Sequence, residues 1–420
     1  MVTGAFGTVP GLLLLPYLTD TLGIAAGVAG LLVLLPKAWD VLVNPVAGRI
    51  SDSRGSRRPF LLVAGLALGV LFAAIFAGPF RSGAGAGAYV AVAFLAAATA
   101  YAFFQVPYVA MPAELTDGTD LADPYGERTR LMTWRVAVLA LAILVSGALA
   151  PLVVEQTGGG ITGHRWSGLF VAALIVVGTL GVYLGTRRAV TRTAAESEPD
   201  LRTQLRIAAA NGPYRALLLC WVIQAIGIGT MLAGVQYFAD HIVGRESGAT
   251  FLFAAFVGPA LLVMPLWSRI GRRYGKPRSL IAASLLFAAG ALLLLAAPVL
   301  PPVAVYLIVA AIGCGYAGQQ VFAMSMLPDC IAHDTERTGR RQAGVFTGVW
   351  TAGETLGLAL GPGLYALILQ IFGYVSSSTG EAAAQDDTAR LGVLLGFSVL
   401  PALLVGAATL LLRSYRDVAR

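Results

Sequence analysis

Long apolar runs separated by short polar stretches set the pattern of this chain. Runs close to the roughly 20 residues a helix needs to cross a bilayer fall at 5–19, 27–48, 59–80, 87–111, 131–153, 166–186, 214–239, 249–268, 278–299, 302–325, 344–372 and 389–412. The pattern predicts an all-α membrane protein with twelve transmembrane helices. The first run is short, which leaves open a start a few residues further upstream. Only Leu300 and Pro301 separate the runs at 278–299 and 302–325, so these predict a tight hairpin.

The polar stretches supply topology. Twenty-three Lys and Arg residues fall on the side that both termini share, against Arg81, Arg165, Arg245 and Arg390 on the other. Basic loops stay inside, so both termini are expected in the cytoplasm, in a multi-pass plasma-membrane protein. The longest polar stretch then becomes a cytoplasmic linker. The expected organisation is a six-helix half at 1–186, a linker at 187–213 and a second six-helix half at 214–420.

The halves repeat. Pro45-x-x-Gly48-Arg49-Ile50, with Gly55 and Arg58 beyond, returns as Pro265-x-x-Ser268-Arg269-Ile270, with Gly275 and Arg278, at a constant offset of 220. Pro112 and Trp134 find counterparts in Pro328 and Trp350. Duplication of a six-helix unit is what a parallel-repeat transporter predicts, with its site between the halves at mid-membrane.

Composition agrees. Charged residues make up 12% of the 420 and hydrophobic ones 57%, whereas a soluble domain carries about 25% charged residues. The net charge of +7 sits in short loops, where it serves topology, so nucleic acid is not an expected partner. Cys220, Cys314 and Cys330 have neither metal-ligand spacing nor a disulfide pattern. Met1 to Gly4 lacks the basic start of a cleavable signal. No nucleophile–base pair, metal cluster or phosphate loop points to an enzyme.

Candidate chemistry lies in the few ionisable residues within apolar runs, each costing about 2.5–3.5 kcal/mol on insertion scales. Lys37 and Asp40 are three apart on one helix and can pair. Asn44 lies four further on along the same face. Pro45 leaves the carbonyl of Val41 without its usual donor. Asp40, Asn44 and that carbonyl are oxygen ligands a small cation such as sodium could use; mutual neutralisation of Lys37 and Asp40 is the structural alternative. Arg135, one turn into the fifth helix, either meets a polar partner or snorkels to water. Glu354 lies in Trp350-Thr351-Ala352-Gly353-Glu354-Thr355, among small residues that permit close helix approach, and is a candidate protonatable group. Gln105, Tyr108, Gln224, Gln236, Tyr237, Gln319 and Gln320 could line a cavity or hold helices together. His164, His241 and His333 are scattered in or near loops. The charged stretch from Pro328 to Arg341, containing Asp329 and Arg340, reads as a cytoplasmic loop whose ion pairs close an inner gate.

Several motifs resemble one family. Tyr17-Leu18-Thr19-Asp20, the run Lys37-Ala38-Trp39-Asp40-x-x-x-Asn44-Pro45-x-x-Gly48-x-x-Ser51-Asp52, and Arg57-Arg58-Pro59 resemble the glycoside-pentoside-hexuronide:cation symporters. That family includes the melibiose permease and, more distantly, relates to the lysophospholipid symporters. Gln105-Val106-Pro107-Tyr108, Glu114-Leu115 and the stretch from Pro328 to Gly348 match it too. The resemblance spans essentially the whole chain. It implies a major facilitator fold of two six-helix repeats, alternating access and cation-driven transport, with Gly48, Asp52, Arg57, Arg58, Asp329 and Arg340 in the cytoplasmic gating motifs. The chain departs from the family where its carboxylates cluster. Asp40 is kept, but Asn44 and Gln105 stand at the other two acidic positions. Val9 stands at a sugar-binding acid, and Thr355 at a lysine.

The expectation is a symporter of a sugar-like or other small polar solute, coupled to protons or sodium, acting as a monomer and needing no cofactor. Its site would draw on Asp40, Asn44, Gln105, Lys37, Arg135, Glu354, Thr355, Tyr108 and Gln236. Movement of lipids, lysolipids or hydrophobic compounds by the same fold, without sodium coupling, is the alternative.

Overall fold

A computed structural model describes residues 1–53, 58–116, 124–187, 201–245, 247–339, 343–377 and 383–417. Every regular element among them is helical. Among the described residues, ten helices are long and apolar enough to cross a membrane, alongside shorter apolar helical stretches at Val2–Leu14 and Ala26–Pro36. The chain divides into two compact units, Met1–Glu196 with Val375–Ala384, and Ser197–Tyr374 with Gln385–Arg420.

Unit 1 begins with α1 (Val2–Val9), which runs on through π-helical turns at Pro10–Leu14 and Tyr17–Thr21. Then come α2 (Ala26–Ser53), α3 (Arg58–Phe76), α4 (Gly83–Thr116), α5 (Pro124–Gln156) and α6 (Gly160–Gly185). Phe6 of α1 stacks on Tyr101 of α4 at 4.4 Å and meets Phe72 of α3 edge-on at 6.2 Å. His164, near the loop that precedes α6 as expected, is buried in the first turns of that helix. It packs against Tyr17 and Phe76, and Nδ1 lies 2.8 Å from the Gly160 carbonyl. A segment from late in the chain returns to this unit: Ser376 Oγ donates to the Ile24 carbonyl and Ser377 N–H to that of Thr19, both at 2.9 Å.

Unit 2 contains α7 (Leu201–Ala210), α8 (Gly212–Phe238), α9 (Gly248–Tyr274), α10 (Lys276–Leu293), α11 (Pro302–Thr338), α12 (Ala343–Ile371), α13 (Asp387–Phe397) and α14 (Val399–Ala408). Helix α7 lies inside the stretch read as a linker. Asn211 separates it from α8, and its Oδ1 accepts from Tyr214 N–H at 3.0 Å. Asn before Gly212-Pro213 is the signature of a helix start. The core gathers around Trp221 and Trp350, stacked at 5.3 Å, with Leu217, Leu280, Phe322, Met326 and Phe346. Small residues bring α12 onto α8: a Cβ on Gly357 would lie 2.7 Å from the Val222 carbonyl, and one on Gly361 would overlap the Gly229 backbone.

Several helices outrun their apolar segments. Helix α11 does not stop near 325 but continues through the charged stretch to Thr338, so 328–338 is helix, not loop. Apolar length marks where a helix contacts lipid, not where its hydrogen bonding ends. The helix ends at Gly339, whose φ of 69° suits glycine and whose N–H bonds the Thr335 carbonyl at 2.9 Å. Helix α9 likewise runs on to Tyr274, closed by Gly275 at φ 85°. The last apolar run is broken at Ser398, because Pro401 offers no N–H to the Phe397 carbonyl. The hairpin at Leu300 and Pro301 forms as expected: both are extended, between a 3-10 turn at Leu294–Val299 and α11.

Candidate functional site

In unit 1, the spacing of Lys37, Asp40 and Asn44 puts them on one face of α2. The side chains of Lys37 and Asp40 lie outside the described residues. Asn44 is half-buried. Val43 and Ala47 pack against Ala102, with Phe103 and Val106 beside them, and Trp39 Nε1 donates to Thr99 Oγ1 at 3.0 Å. These contacts lay α2 along α4 over the turn that leads to Gln105.

Gln105 is half-buried, and its Oε1 is enclosed without a hydrogen-bond partner. One turn on, the Tyr108 ring stacks on Phe104 at 5.6 Å, and the Arg135 guanidinium of α5 lies 5.1 Å from the Tyr108 ring centre. Arg135 therefore packs on an aromatic face, and Gln105, Tyr108 and Arg135 form one constellation across α4 and α5. It offers a planar cation, a phenol and a neutral amide.

In unit 2, Glu354 and Thr355 are half-buried on α12. Glu354 stands within electrostatic reach of Tyr316 on α11. The Tyr316 hydroxyl accepts from Gln320 Nε2 at 2.6 Å, and Phe256 of α9 packs on its ring at 5.2 Å. Tyr316 was not among the residues picked from sequence. A lone Tyr within an apolar run has no distinguishing spacing, although its place four residues before Gln320 is the available signal. Gln236 is engaged elsewhere: at the end of α8 its Nε2 donates to both Asp240 oxygens, at 3.1 and 3.0 Å.

The gating residues divide. Arg58 bonds no carboxylate among the described residues. It donates to the Arg187 carbonyl at 3.0 Å and that of Tyr183 at 3.3 Å, and lies over the Tyr183 ring, which caps the end of α6. Asp329 pairs with Lys276 at 2.6 Å, and Lys276 also donates to the Ser325 carbonyl. Both side chains are about two-fifths exposed, so the pair is worth about 0–1 kcal/mol. It joins α10 to α11 within one unit. Arg57 and Arg340 lie outside the described residues, as do the surroundings of Gly48 and the side chain of Asp52. No group of three metal-ligating side chains occurs among the described residues.

Membrane-length helices carrying isolated polar constellations define a polytopic membrane protein. The family model for MFS/sugar transport proteins matches residues 1–416, and the chain belongs to that family. It is 27% identical over 420 residues to an uncharacterized symporter, YnaJ, of Bacillus subtilis, covering 96% of this chain and 86% of that protein. It is 26% identical over 420 residues to YagG of Escherichia coli, a putative glycoside/cation symporter, covering 96% and 87%. The nucleoside transporter NupG superposes with a TM-score of 0.67 at 13% identity, covering 98% of this chain and 96% of that one. The chain is thus a multi-pass secondary transporter for small molecules and not an enzyme.

Proposed function

We propose that the protein is a cation-coupled symporter of a sugar-like solute, working by alternating access as two repeated six-helix halves, twelve helices in all, with both termini cytoplasmic in the plasma membrane. The observation that carries the solute side is the Gln105–Tyr108–Arg135 constellation. An amide oxygen free to accept, a phenol and a planar guanidinium are groups that orient a polyhydroxylated molecule. Asp40 carries the coupling, with Asn44 and Gln105 supplying neutral oxygens, and Glu354 is a second protonatable group. The coupling ion is a proton or sodium, no cofactor is required, and one chain suffices. Support for glycoside-type cargo comes from the name YagG bears. The lysolipid alternative draws none from the relatives.

The test is uptake by the purified protein in proteoliposomes, across a panel of glycosides, with imposed proton or sodium gradients. Asp40→Asn should abolish accumulation against the solute gradient while leaving counterflow. Unchanged accumulation in that variant removes Asp40 from coupling. Uptake of lysolipids with no competition by any glycoside refutes the solute class.

A further inference from the structure

Unit 2 holds a second set of polar groups, apart from Glu354 and Tyr316. Gln319 of α11 is fully buried, and neither amide atom has a partner. Gln224 of α8, also fully buried, donates from Nε2 to Ser284 Oγ of α10 at 2.9 Å, which leaves Oε1 unpartnered. Ser284 is itself fully buried and donates to the Leu280 carbonyl. One turn before Gln224, Trp221 stacks on Trp350, each is 2% exposed, and both indole N–H groups lack an acceptor.

These groups share a neighbourhood. Gly315 of α11 abuts Ala283 and Phe287 of α10, which flank Ser284. Gln319 lies one turn beyond Gly315 on the same face of α11, the face turned to α10, which carries Ser284. A buried polar group without a partner loses its hydration and gains nothing in return, and lipid cannot replace it.

We infer that the core of unit 2 binds water at this α8–α10–α11–α12 junction. The orphan atoms decide the ligand. A cation would satisfy Gln224 Oε1 and Gln319 Oε1 but not the two indole N–H groups or the Gln319 amide N–H. An anion would do the reverse. Water donates and accepts, and a buried water makes about three hydrogen bonds. The site is independent of the solute constellation in unit 1.

Radiolytic hydroxyl footprinting of the full chain in nanodiscs tests this, since radicals made from bound water oxidise side chains that bulk radicals do not reach. Trp221 and Trp350 should be labelled several-fold faster than Tyr214, which is equally buried but has its hydroxyl bonded to the Phe346 carbonyl at 2.7 Å. Replacing Gln224 and Gln319 together by Leu should bring the indole labelling down to the Tyr214 level. Wild-type labelling of both indoles no faster than Tyr214 overturns the inference, and this comparison stands even where the double variant fails to fold. A double variant that melts higher with indole labelling unchanged also overturns it, because the two amides were then dry.

Discussion

Adding a single methyl group to successive turns of α12 should destabilise the protein in a fixed order. Gly353, Gly357 and Gly361 are four apart and form the stripe by which α12 meets α8. At Gly361 a new Cβ would overlap backbone atoms of Gly229 and Thr230. Backbone cannot rotate away, and Gly229 cannot become smaller. Gly361→Ala therefore belongs at the upper end of the about 1–3 kcal/mol that overpacking costs. At Gly357 the new methyl meets the Val222 carbonyl oxygen at 2.7 Å and the Ala225 Cβ at 2.8 Å, which places Gly357→Ala in the middle of that range. At Gly353 the neighbours are side-chain ends, Val222 Cγ2 at 2.9 Å and Leu218 Cδ1 at 3.1 Å. These can yield, so Gly353→Ala should cost about 1 kcal/mol or less. Gly181 of α6 has nothing within 4 Å, and there Ala should gain about 0.5–1 kcal/mol through helix propensity. Thermal unfolding of the purified variants in one detergent reads the order directly. A Gly361→Ala protein that melts with wild type, or a Gly353→Ala protein less stable than Gly361→Ala, would refute the packing described for α8 and α12.

Asn211→Ala should lower stability by about 2–4 kcal/mol, since it removes a helix cap and orphans the Cys330 carbonyl that Nδ2 now reaches at 3.1 Å; Asn211→Ser, retaining the cap, should recover part of this in the same melts. Burial, and then Cys330 beside it, pushes the Tyr415 phenol above its ordinary range. Its contribution is therefore present below about pH 10 and lost as pH climbs toward the raised value, so Tyr415→Phe should flatten the alkaline fall in unfolding midpoint, and identical alkaline slopes would disprove the effect. Arg135→Lys keeps the charge but loses the flat two-pronged donor a polyhydroxylated solute would use, so the solute KM should rise roughly 10-fold, the scale of one charge-assisted hydrogen bond of about 1.5 kcal/mol, measured by uptake against concentration; an unchanged KM removes Arg135 from the solute site.

Much of the fold was legible in the sequence because the bilayer imposes a length. Segments such as 59–80 and 166–186 correspond to α3 and α6, since lipid contact and helix extent nearly coincide there. Legibility failed where they diverge. Pro328 and the charges after it read as a loop, yet α11 continues to Thr338, because residues beyond the lipid need only hydrogen-bonding neighbours along the helix. The site was legible as residue types but not as partners. Arg135 stood out as a charge in an apolar run, but nothing in its spacing told of Tyr108, which lies on another helix. Gln236 stood out equally and is engaged by Asp240 four residues away. Tyr316 gave only a weak signal, its place four residues before Gln320, because a phenol in an apolar run otherwise looks like any other core aromatic.

The 37 residues of α11 make a rod of roughly 55 Å, against a hydrocarbon layer of about 30 Å. Such a rod behaves as a lever. Tyr316 and Gln320 ride on its mid-section, and Asp329, tied to Lys276, rides nearer its far end. A small tilt about the middle is magnified at the tip, so it would carry Asp334 and Arg337 further than Tyr316. The break at Ser398 gives the last helical run a different character: it is two short rods joined at one residue, without the continuous hydrogen bonding that makes α11 stiff.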